Sequence, residues 1–96
     1  MQSVSIAIDG DVDPERFMPW INDIVRREGP NILRSKGILA FKNEPKRFVF
    51  QGVHMILDGD VQGEWKPGEP RVSRVVFIGR ALDEKAIRDG FLACAA

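Results

Sequence analysis

Histidine and cysteine, the side chains on which zinc sites and thiol chemistry draw, are scarce in this chain. It holds one histidine, His54, and one cysteine, Cys94, forty positions apart. A zinc site needs three or four Cys, His or carboxylate ligands, so this pair does not constitute one. Nucleophilic Cys/His chemistry also requires a third, orienting group and a pocket, and the sequence displays neither. His54 lies within the apolar stretch RFVFQGVHMIL and reads as a hydrogen-bonded packing residue, with ligand or proton-transfer duty as the alternative. Cys94 falls on an apolar stripe near the C-terminus and reads as a small core residue.

The acidic residues repay a separate test. In DGDVQGEWKPGE, residues Asp58, Asp60, Gln62, Gly63 and Glu69 occupy positions 1, 3, 5, 6 and 12 of a calcium-loop template. Lys66 at the ninth position, Pro67 and the lack of flanking helices argue against that reading. Asp9, Asp11 and Asp13 alternate in DGDVDP and could hold a cation loosely, although helix capping already accounts for Asp13. Arg34, Lys36, Lys42, Lys46 and Arg47 cluster with only Glu44 opposing them, which reads as a solvated edge discouraging strand aggregation. The interleaved Phe41, Phe48 and Phe50 would suit base stacking, but the glycine-aromatic signature of an RNA-recognition strand is missing, so no nucleic-acid partner is expected. Neither G-x-x-x-x-G-K-[ST] nor G-x-G-x-x-G occurs, and nucleotide binding by this chain is not expected.

With 96 residues the chain suits a single domain. Its 14 basic and 14 acidic residues cancel, leaving no global field for a nucleic-acid backbone or an anionic membrane. No apolar run approaches the ~20 residues of a membrane helix, and the start lacks a secretory pattern. A single cysteine forms no intrachain disulfide, and a reducing cytoplasm is the expected location.

Val4, Ile6 and Ile8 alternate with Ser3, Ser5 and Ala7, the two-residue period of a half-buried strand. Asp13-Pro14-Glu15 is a helix start, followed by Phe17, Trp20, Ile21, Ile24 and Val25 at helical spacing and a stop at Gly29-Pro30. Pro19 conflicts with a start at Pro14 and predicts a distorted first turn or a later start. A second strand is expected over 31–42, a third over 46–57, a long loop over 58–70, a fourth strand over 72–78 and a helix after Asp83. The expected fold is α+β with two layers in the order β-α-β-β-β-α, a mixed four-stranded sheet carrying two helices on one face. Its first two strands would be parallel neighbours joined by a crossover. The last two strands offer apolar side chains on both faces, so something else should cover the second face.

Four ordered strings then carry a resemblance. LRSKGIL (33–39), RFVFQGVHMI (47–56), Trp65, and SRVVFIGRALDEKAIRDGF (73–91) resemble the C-terminal domain of the CobW-type GTPase and metallochaperone family. DPERFMPWINDIV resembles that domain's first helix, so the likeness covers nearly the whole chain as a single domain, 1–96. The resemblance implies a parent with an N-terminal P-loop GTPase domain and a cysteine-containing metal motif, linked to zinc or cobalt delivery and cobalamin synthesis. Neither motif occurs here, so GTP and zinc or cobalt are expected only in the parent. What carries over is a non-catalytic docking role, with the GTPase domain of the same protein and a metalloenzyme client as partners. The resemblance enters almost at once after Met1, which implies an excised fragment or truncated product. Gln51, His54, Trp65 and Arg74, polar or bulky residues in the most family-like segments, are the candidate partner or interdomain surface. A small metal- or ligand-binding enzyme using the region around His54 is one alternative. Another is a homo-oligomerisation module, and the isolated fragment would then form a weak homodimer.

Overall fold

A computed structural model describes residues 1–53 and 56–96. The elements are β1 (Gln2–Asp9), α1 (Pro14–Glu28), a 3-10 turn (Gly29–Asn31), β2 (Ile32–Leu39), β3 (Lys46–Val53), β4 (Ile56–Glu64), β5 (Val72–Gly79) and α2 (Glu84–Leu92). The expected helix caps are present: the Asp13 carboxylate accepts from the Glu15 amide at 2.9 Å, and that of Asp83 from the Ala86 amide at 3.1 Å. Pro19 sits inside α1, which nonetheless starts at Pro14. Pro19 has no N–H to give the Glu15 carbonyl, and Glu15 is an exposed residue in the first turn.

The sheet departs from expectation in two ways. It has five strands in the order β1-β5-β2-β3-β4, and every neighbouring pair is antiparallel. The segment expected to be one long strand followed by a loop is instead the hairpin β3–β4, with Ile56–Glu64 running back along Val53–Lys46. Asp and Gly in DGDVQGE disfavour a strand on intrinsic grounds, but pairing with β3 overrides that preference at an edge. The second departure is β5, which inserts between β1 and β2. These two strands remain parallel to one another but are not neighbours, because both pair antiparallel with β5.

One side of this sheet carries the core. Val4, Ile6 and Ile8 of β1, Val75 and Phe77 of β5, Leu39 of β2 and Phe50 of β3 meet Phe17, Ile21 and Ile24 of α1 and Ile87 and Phe91 of α2. Trp20 bridges the helices and the sheet, its ring 5.6 Å from Phe91 and 6.0 Å from Phe77 between centroids. Gly90 makes that packing feasible, since a Cβ there would fall on the Trp20 indole. Cys94 is 2% exposed in the same core, as its stripe position predicted.

Backbone crossings at one end of the sheet are tied by Ser73, which is fully buried. Its hydroxyl accepts from the Ala40 amide at 3.0 Å and donates to the Gly10 carbonyl at 3.1 Å, joining the ends of β1, β2 and β5. Ser35 is also buried, yet its hydroxyl has no hydrogen-bond partner among the described residues.

Two outcomes follow from this packing. Ser73→Ala leaves the buried Ala40 amide and the part-buried Gly10 carbonyl without their partner and should cost ~2 kcal/mol in urea denaturation, whereas Ser35→Ala should stay within ~0.5 kcal/mol of the parent. Burial pushes the Cys94 thiol above its ordinary value, which lowers the thiolate fraction at any given pH. At pH ~8, near the ordinary thiol pKa, a thiol reagent should therefore leave the folded chain unmodified for hours and label one site at once in denaturant.

Candidate functional site

Alternation along each strand sends every second side chain to the face opposite the helices. Cross-strand register aligns these side chains into three rows. At one end the row is Ser3, Ile78, Arg34, Val53 and Ile56. The middle row is Ser5, Val76, Lys36, Gln51 and Asp58. The third row is Ala7, Arg74, Ile38, Val49 and Asp60.

No helix lies over these rows among the described residues. Val53 is 55% exposed, Ile56 76% and Ile38 41%, values far from those of core aliphatics. A shallow cleft of about 450 Å³ opens here, bounded by Arg34, Lys36, Gln51, Val53, Ile56 and Asp58, with Val76 and Ile78 also lining it. Charge is divided across the face, with Arg34, Lys36 and Arg74 on the central strands β2 and β5 and Asp58 and Asp60 on the edge strand β4. Among the described residues the ion pairs lie elsewhere, on the helices and between Arg71 and Asp11. The face thus presents donors, acceptors and apolar surface, which equips it for binding.

The four anticipated residues divide. Gln51 stands mid-row in the cleft, and Arg74 is exposed on the same face between Ala7 and Ile38. Trp65 is not in the cleft. It follows the end of β4, half-buried, with the Arg47 and Arg71 guanidinium carbons 6.0 and 5.8 Å from its ring centroid. Arg71 is itself held by Asp11 at 2.8 Å and by the Phe41 and Glu44 carbonyls at 2.9 Å each, so Trp65 packs against an anchored cation. His54 lies outside the described residues. Sequence reasoning missed Val76, Ile78 and Asp58, although the shared parity of Val76 and Ile78 with Arg74 was the available signal.

One further reading changes, and two agree with the structure. The β2–β3 hairpin is interior to the sheet, so Arg34 and Lys36 do not guard an edge; the edges are β1 and β4. Asp58, Asp60 and Gln62 alternate along an extended strand, spaced ~7 Å apart, and do not wrap an ion as a calcium loop does. Asp11 is engaged by Arg71 and Asp13 caps α1, which accounts for two acids of DGDVDP. Among the described residues no three His, Cys, Asp or Glu side chains converge as a metal site, so a zinc or cobalt site does not fit them. No described helix is long and apolar enough to cross a membrane.

Comparison with known proteins places this geometry. Residues 1–95 match the family described as the cobalamin synthesis protein cobW C-terminal domain. The chain is 32% identical over 91 residues to the zinc chaperone YjiA of Escherichia coli, covering 95% of this chain and 28% of that protein. It is 34% identical over 77 residues to the zinc chaperone CobW of Pseudomonas aeruginosa, covering 80% of this chain and 20% of that one. The crystal structure of Zn(II)-bound YjiA GTPase from E. coli superposes with a TM-score of 0.93 at 30% identity, over 99% of this chain and 30% of that chain. The chain therefore spans less than a third of the length of these relatives, and the part it matches is the C-terminal one. With nearly every residue matched, the chain belongs to the cobW C-terminal domain family.

Proposed function

We propose that this chain is a non-catalytic accessory domain of a zinc-handling GTPase, and that its open sheet face is where the GTPase domain of the same protein docks. The observation that carries this reading is the face itself, with aliphatic side chains up to 76% exposed interleaved with three cations lacking an ion-pair partner among the described residues. Aliphatic surface is stabilised by cover, at ~25 cal/mol per Å² removed from water. Interleaved charges add orientation and exclude wrong partners. A counterpart rich in acidic and apolar groups over β2 and β5 fits this pattern best.

Relatives called zinc chaperones and a GTPase supply the context, and the chain's lack of a phosphate-binding loop motif supports a reading in which nucleotide chemistry belongs to another part of such a protein. Zinc or cobalt and GTP are then cofactors of the parent. Docking through a face lets the nucleotide state of one domain alter the exposure of the other, and a metalloenzyme client would read that change.

The test is a titration of isotope-labelled chain with the separately produced GTPase domain of E. coli YjiA. Amide shifts should concentrate at Lys36, Gln51, Arg74 and Val76, and the double variant Lys36→Glu, Arg74→Glu should weaken binding at least ~10-fold. Shifts confined to α1 and α2, or equal binding by the double variant, would contradict the assignment.

A further inference from the structure

Independently of how the open face is used, we infer that the outer edge of β4 is a strand-addition site for an extended partner segment in which apolar and basic residues alternate. The sheet ends at β4, which among the described residues pairs only with β3, so no strand covers the backbone along its other side, although the Asp60 carboxylate already takes the Val61 amide. The strand is nine residues long, or ~30 Å, a generous template for another strand. Its counterpart edge is better screened. At β1 the Gln2 side chain exchanges hydrogen bonds with both backbone groups of Leu82, and α2 packs against the strand.

The two faces of β4 define what an added strand must carry. On the helix side are Leu57, Gly59 and Val61, where a groove of about 300 Å³ runs between α1 and the β3–β4 hairpin. Phe48, Phe50, Leu57 and Gly59 line its sheet side, Asp58 also borders it, and Met18 and Ile21 of α1 form the wall. Phe48 lies over Gly59, so the groove offers an aromatic surface. On the other side are Asp58 and Asp60, neither with an ion-pair partner among the described residues. The Asp60 carboxylate also accepts from the Val61 amide at 2.7 Å, which holds negative charge beside the strand. An incoming strand with period two places alternate residues over the groove and beside the acids, so apolar and basic residues must take turns.

A second copy of this chain does not fit that pattern. Antiparallel self-pairing centred on Asp60 sets that residue opposite its own copy, and pairing centred on Gly59 sets Asp58 opposite Asp60. Like charges directly opposed across strands are destabilising. Complementary charge therefore favours as occupant a segment from outside this chain that carries basic residues.

The probe is a synthetic, end-capped peptide of about ten residues, long enough for one strand, alternating lysine and valine and titrated into the isotope-labelled 96-residue chain. Saturable amide shifts should appear along Ile56–Glu64 and at Phe48, with β1 unaffected. The same peptide N-methylated at alternate backbone positions should bind at least tenfold more weakly, because its side chains persist while its ladder donors are lost. Asp58→Asn with Asp60→Asn, both exposed and not expected to disturb folding, should weaken binding about fivefold, corresponding to two cross-strand charge pairs. Three results would overturn the inference: no shifts on β4, equal binding by the N-methylated peptide, or concentration-dependent shifts on β4 without peptide, which would make a second copy the occupant.

Discussion

Insertion of β5 between β1 and β2 is the constraint on which the rest of the molecule depends. Val75 and Phe77 place their side chains at the centre of the helix-side core with no exposure, and β5 pairs along its full length with β1 on one side. Without it, β1 and β2 would have no shared partner, and α1, which connects them, would have no continuous surface to cover. Ser73, at the start of this strand, fastens the ends of its two neighbours through the Ala40 amide and the Gly10 carbonyl. Phe77 also packs edge-to-face with the Trp20 ring, so the strand positions the helices as well as the sheet.

The same strand decides what remains uncovered. With its alternation fixed by the core, Arg74, Val76 and Ile78 must stand on the opposite face, in register with Ile38, Lys36 and Arg34. Two helices suffice for one side of the sheet and leave the other to solvent or to a neighbour. Aliphatic side chains at that face bring little stability to the chain in isolation, and their placement beside cations without an ion-pair partner among the described residues is what supports the proposed contact.

Much of the fold was legible because capping and periodicity are local. Asp13, Pro14 and Asp83 marked the helix starts, and the parity of Val4, Ile6 and Ile8 marked β1 and its buried face. The number of strands was not legible. In Ile56–Glu64 only Leu57 is even half-buried, so little apolar alternation was enforced, and Asp58, Gly59 and Asp60 imitate a loop. Strand order was hidden for another reason: pairing of β5 with β1 is a contact between chain ends, and no local signal encodes it. For the site, Gln51 and Arg74 could be placed on a strand but not on the same face, because that depends on the register across β2. Trp65 drew notice for its size, whereas its surroundings, Arg47 and Arg71, show it packed at the end of the sheet.

Membership in the cobW C-terminal domain family and the open face support the proposed account, in which this domain docks through that face on a GTPase domain. Hydroxyl-radical footprinting addresses that account most directly. Side-chain oxidation of Val53, Ile56 and Ile78 would be compared in the isolated chain and in a full-length GTPase carrying it, with Met18 on the helix side as internal reference. Several-fold protection of the three aliphatics in the full-length protein, with Met18 unchanged, is the predicted result. Equal oxidation of all three in both forms would contradict the assignment of this face to the GTPase domain.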